Sequence, residues 1–174
     1  SVKNSPAVGS FVERFPPISF GVPIADSPTD LYVNMTPTMP IFEGESLYLD
    51  LPYFSRDESV TILDSMVSPP GYFRGITWQT MKNNGTRLTF IADQDLLALS
   101  TIYWSISSVA GIRLPVSGVR KLESGITISV LAKSGQINDL ALAVNHPVGS
   151  FISREDNQFA RLTFDPASAG KRTN

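Results

Sequence analysis

Residues 43–54 read EGESLYLDLPYF. Leu47, Leu49 and Leu51 alternate there with Tyr48 and Asp50, the period-two pattern of a strand that turns one face to a core and the other to water. Glu43-Gly44-Glu45 ahead of the run is a turn signal. The same alternation recurs along the chain. Ile76, Trp78 and Thr80 flank Thr77 and Gln79, Leu88 and Phe90 flank Thr89, and two further sets are Ile102, Trp104, Ile106 and Ile126, Ile128, Val130. The runs are short and rich in β-branched or aromatic residues, as strands are. By this phase Trp78 and Trp104 face a core and Tyr103 faces outward.

Turn signals separate the runs at Ser68-Pro-Pro-Gly71, Asn83-Asn-Gly85, Ala110-Gly111 and Ser134-Gly135. Asn84-Gly85, between ITWQTMK and TRLTFIA, predicts a hairpin with a two-residue turn, whose favoured hand needs positive φ at both central positions. Only Asp93 to Leu99, DQDLLAL, has any helical character, about two turns, and it reads equally well as a loop. The prolines of Phe15-Pro-Pro-Ile18 and of PTMPIFEG from Pro37 suit edge strands or connections, because proline cannot donate to a ladder. Short strands at roughly ten-residue spacing, with no βαβ unit, predict an all-β fold, an immunoglobulin-like antiparallel β-sandwich with extended terminal segments.

At 174 residues the chain suits one domain with a sizeable core, and 42% hydrophobic content places it among folded chains. Net charge is −2 and the charged fraction 17%, without any run of like charge, so nucleic acid is not an expected partner. No apolar run approaches the ~20 residues of a membrane span. The chain has no initiator Met and no signal peptide, and reads as a fragment or a processed product. With no Cys, disulfides, thiol catalysis and Cys-ligated zinc are excluded.

Candidates for chemistry are sparse. His146, in NHPVG, is the one histidine, too few for a zinc site, and reads as an exposed loop residue rather than a catalytic base. Asp93 with Asp95, Asp57 with Glu58, and Glu155 with Asp156 read as solvated loop carboxylates and build no calcium loop, although a glycosidase pair drawn from distant strands stays open. Phosphate-binding glycine loops are absent. No catalytic residue, metal or cofactor is therefore expected. Trp78, Tyr103 and Trp104 are the candidates for a sugar platform, with core packing favoured for the two tryptophans and the surface for Tyr103. Asn34-Met-Thr36 and Asn84-Gly-Thr86 are N-glycan acceptors in a secreted chain, Asn84 ahead of Asn34 because a hairpin tip is exposed.

One stretch is said twice. VGSFVER, from Val8, returns as VGSFISR, from Val148, an offset of 140 residues. Once Glu155-Asp-Asn-Gln158 is taken as an insertion, Phe15, Ile18, Ser19 and Phe20 align with Phe159, Leu162, Thr163 and Phe164. Similarity at a fixed period is the mark of a repeat array. Residues 1–148 are accordingly expected to form one sandwich repeat with an extended N-terminal segment. Residues 149–174 would then open the next repeat or serve as an inter-subunit linking strand, through Gly149, Phe151, Phe159, Leu162 and Phe164.

Gly9 to Phe11, Asp30 to Val33, Gly44-Glu45 and Leu51 to Phe54, followed by a Trp hairpin, GIRLP and ITISV, resemble a β-sandwich repeat of very large extracellular proteins of algae and related protists. The resemblance covers most of the chain and rests on turn and core residues. It implies a surface or wall component similar to the subunits of glycosylated extracellular filaments, bearing N-linked glycans and partnered by copies of itself. The expected function is a structural subunit or tandem repeat of an extracellular filament or cell-surface protein. The alternative is a carbohydrate-binding or adhesion module, ahead of a viral coat protein and an enzyme.

Overall fold

A computed structural model describes residues 9–12, 17–57, 61, 64–81, 85–121 and 123–149. The strands in chain order are β1 (Pro17–Phe20), β2 (Leu31–Met35), β3 (Ser46–Pro52), β4 (Ser55–Arg56), β5 (Val67–Ser68) and β6 (Phe73–Thr80). They continue as β7 (Gly85–Ala92), β8 (Ile102–Ile106), β9 (Ile112–Arg113), β10 (Thr127–Ala132), β11 (Gly135–Ala141) and β12 (Ala143–Val144). One five-stranded sheet has the order β12-β1-β2-β8-β5, the other β11-β10-β3-β7-β6, and β4 with β9 forms a small ribbon. Strands and sheet packing are those of the expected all-β sandwich. Among the described residues pairing is antiparallel except that β1 runs parallel to β12, Ile18 opposite Val144.

The period-two pattern acts as sequence reasoning requires. Leu47, Leu49 and Leu51 of β3 are buried, and cross-strand neighbours Leu88 and Phe90 of β7 and Ile128 and Val130 of β10 continue the same inner face. Opposite them lie Ile18, Leu31, Val33, Ile102, Trp104 and Ile106 of the other sheet, in one hydrophobic cluster. Trp104 joins the two layers. Its ring lies edge-on to Phe73 (5.1 Å) and Phe90 (6.0 Å), both from the second sheet.

The turn motifs are structural clamps. Gly44 has φ +83°, a conformation that favours glycine, and sets up the entry to β3. Glu45 then spans two segments: its carboxylate accepts from the Phe42 amide (2.8 Å) and from the Lys133 amide in the β10–β11 turn (2.7 Å). Asp30 does the same for the other sheet, accepting from the Ser108 amide (2.6 Å) in the short 3-10 turn before β9. Arg87 forks onto Asp50 across β3 and β7 with two 2.7 Å bonds. Charge-assisted bonds of this kind stabilise by ~1.5–3 kcal/mol when shielded. Glu45 is only half-buried, so Glu45→Ala is expected to lower stability by about 1–2 kcal/mol. Urea unfolding measures this, and an unchanged midpoint would mean that water replaces the carboxylate without loss.

One expectation is corrected and one open alternative is decided. β6 and β7 pair as a hairpin, but Met81 N–H donates to Gly85 O (2.7 Å) and Thr80 faces Thr86, so Gly85 stands in the ladder. A two-residue turn at Asn84-Gly85 is excluded, because Gly85 has no positive φ and already belongs to β7. The tight connection is instead Lys133-Ser134, between the paired Ala132 and Gly135. Residues 93–99 form no helix: Leu96 exchanges backbone bonds with Ile41 (2.8 and 2.9 Å), which a helix would preclude.

Candidate functional site

The segment after β3 shapes an open concavity. Alternation from Leu51 would turn Tyr53 inward, yet its φ of +63° reverses the phase: Phe54 enters the core against Phe20 (5.9 Å) and the Tyr53 ring is 65% exposed. A left-handed conformation at a bulky residue costs roughly 1–3 kcal/mol and persists only where its surroundings fix it. Here they do. Thr86 Oγ1 donates to Phe54 O (3.2 Å), Pro52 faces Gly85 in the ladder, and β4 follows at once to pair with β9.

Trp78 supplies the facing wall. It shares its phase with Ile76 but is only half-buried, because β6 is the edge strand of its sheet and a bulge between Arg74 and Thr77 shifts its register. Trp78 thus packs against the core without being enclosed by it, so its expected core role holds in part, whereas Trp104 is fully buried. The Arg56 guanidinium lies 5.5 Å from the centre of the Trp78 ring, within cation–π range. With Pro115, Val116 and Ser117 these residues bound an open groove of about 530 Å³. A hollow of about 300 Å³ adjoins it, reaching Gly118, Arg120 and Glu123, and Tyr53 and Phe54 line both. Tyr53 was not legible as a site residue; the only signal is that two aromatic residues in succession, Tyr53-Phe54, cannot both obey period two.

A second aromatic patch lies on the outer face of the first sheet. Tyr32 and Tyr103 stack with centroids 6.4 Å apart and 14° between planes, and Tyr103 is 50% exposed, as its phase predicts. Asp30 beside Tyr32, through its charge first and then with desolvation and a 3.3 Å hydrogen bond, raises the phenol above its ordinary pKa. Trp78, Tyr103 and Trp104 thus sit in three different places and form no common platform.

Among the other sequence candidates, Asn34 is half-buried on β2, cross-strand from Tyr103. Asn84 lies outside the described residues, as do Phe151, Phe159, Leu162 and Phe164; Gly149 is described and exposed. His146 is exposed. Asp93 pairs with Arg74 (3.2 Å), and Asp95 accepts from the Glu43 amide (2.9 Å), so that Asp95 acts as a loop brace. Among the described residues no three His, Asp or Glu side chains gather into a metal-binding group, and no helix is long and apolar enough to cross a membrane.

No protein-family model matches the chain, and no curated protein does. Among solved structures, an exo-β-N-acetylglucosaminidase of family GH20 from Vibrio harveyi, in complex with N-acetylglucosamine, is similar over 81% of this chain at 13% identity and a TM-score of 0.35. The chain spans 19% of that enzyme's length.

Proposed function

We propose that the chain is a structural building block of an extracellular filament or tandem-repeat surface protein, linked end to end through residues 149–174. The observation that carries this reading is what the first copy of the repeated segment does. Phe11, Ile18 and Phe20 are all buried in the sandwich core, and Gly9 lies so close to Met39 that a Cβ there would collide with the sulfur. Their counterparts at the other end are Phe151, Leu162, Phe164 and Gly149. This domain has already filled those places with its own residues, so the second copy needs the body of another domain in which to bury the same side chains.

The junction has no slack. Val148 is held by both backbone bonds to Val119 (2.9 Å each), and the next residue, Gly149, is already the counterpart of Gly9. A repeat following at that point would be joined without a linker, and the array would be stiff. Electron microscopy of the native material tests the reading. Filaments or rods with a regular axial repeat support it, and isolated domains that bind glycan would favour the adhesion-module alternative.

Extracellular placement and N-glycans complete the proposal. Asn34 is half-buried near the end of β2, cross-strand from Tyr103, so its side-chain amide is only partly accessible once the sheet has formed. Glycan occupancy at Asn84 is therefore expected to exceed that at Asn34. Mass spectrometry of native protein decides this, and an unmodified Asn84 would remove the main sequence support for a secretory route.

A further inference from the structure

We infer that the groove bounded by Tyr53, Arg56, Trp78 and Pro115 to Ser117 binds a saccharide chain. The inference goes beyond the scaffold reading and does not depend on it, since a repeat in an array and a lone domain would both present this surface.

Three observations lead to it. The first is the display of an aromatic ring at the cost of backbone strain. Tyr53 adopts φ +63° with its ring 65% exposed, whereas a tyrosine with a packing role would bury that ring. The second is the pairing of aromatic and hydroxyl groups. Tyr53 offers flat apolar surface, the exposed part of Trp78 beside Arg56 adds to it, and Ser55, Thr80 and Ser117 stand in the same lining. A pyranose has the matching character, with apolar C–H faces and hydroxyls around its rim, and pockets of about 300–1,000 Å³ with a few polar groups suit ligands of that size. The groove and its adjoining hollow share Tyr53, Phe54, Pro115 and Ser117, so the two lie side by side, which suits a chain longer than one sugar.

The third observation is charge. Arg56, held against the Trp78 ring, and Arg120, accompanied by Glu123 in the adjoining hollow, leave the surface with one positive charge in excess, which disfavours a cationic ligand and is compatible with a neutral or weakly acidic saccharide. Gly85 belongs to the lining and Asn84 directly precedes it, so the saccharide has two possible sources, an external polysaccharide or a glycan carried by this protein.

The test titrates the full 174-residue chain, made without N-glycans, with cellohexaose, laminarihexaose, mannohexaose, xylohexaose and chitohexaose, read by calorimetry and tryptophan emission. At least one is expected to saturate and to change the emission, which reports on half-exposed Trp78 because Trp104 is fully buried. Tyr53→Gly should weaken binding about tenfold or more while the thermal midpoint holds or rises, because glycine takes positive φ without strain. Trp78→Ala should abolish binding. Native glycosylated protein that binds free sugar only after enzymatic deglycosylation identifies its own glycan as the occupant, and equal binding before and after identifies an external one. The inference is overturned if none of the five sugars binds, if Tyr53→Gly binds as well as the parent, or if a peptide of residues 150–174 occupies the groove and the sugars do not.

Discussion

Trp104→Ala is expected to destabilise the domain by about 3–5 kcal/mol, a large part of the ~5–15 kcal/mol by which such domains are stable. The indole is fully buried on β8, and its neighbours Phe73 and Phe90 come from the opposite sheet, so truncation opens a cavity between layers that rigid ladders on both sides cannot close. The indole N–H has no hydrogen-bond partner, and burying it unpaired already costs about 1–3 kcal/mol. Trp104→Phe removes that polar atom and keeps a ring, so its loss should be less than half that of alanine. Urea denaturation of the two variants and the parent gives both numbers. A loss below ~1 kcal/mol for alanine would show that the sheets close over the gap, and equal losses for alanine and phenylalanine would show that a phenyl ring does not fill the place of the indole.

The readable part of the fold is the part governed by period two. Leu47, Leu49, Leu51, Leu88, Phe90, Ile128 and Val130 face inward because each lies in an unbroken ladder, where alternation alone decides the face. Alternation fails at irregularities. The bulge in β6 brings Trp78 to a half-open edge, and the left-handed Tyr53 turns its own ring out and sends Phe54 in. Neither event has a strong local signal, since Trp78 and Tyr53 are residues that suit a core equally well. The parallel pairing of β1 with β12 joins opposite ends of the domain, and nothing in either short segment names the other. The groove was hidden for the same reason: its walls come from the link between β3 and β4, from β4, β6 and β7, and from the loop after β9, brought together by pairing rather than by spacing.

Removal of residues 149–174 is expected to leave a folded domain that no longer assembles end to end. The cut falls after Val148, so it spares β12, the two backbone bonds between Val148 and Val119, and every residue of the described core. Thermal stability of the isolated domain should therefore change little. What is lost is the segment whose Phe151, Leu162 and Phe164 correspond to the buried Phe11, Ile18 and Phe20. Burial of such side chains contributes ~1.5–3 kcal/mol each, so three of them in a neighbouring body, together with the ladder bonds of an added strand, suffice to hold a junction. The segment works only if the neighbour's corresponding place is open to it, either because the two are covalently consecutive or because the neighbour's own residues 9–20 are exchanged out. Light scattering and electron microscopy of the truncated chain, beside its melting curve, read the result. Filaments that persist would place the linkage elsewhere on the sandwich. A truncated chain that fails to fold would show that residues 149–174 belong to this domain's own core and not to a junction.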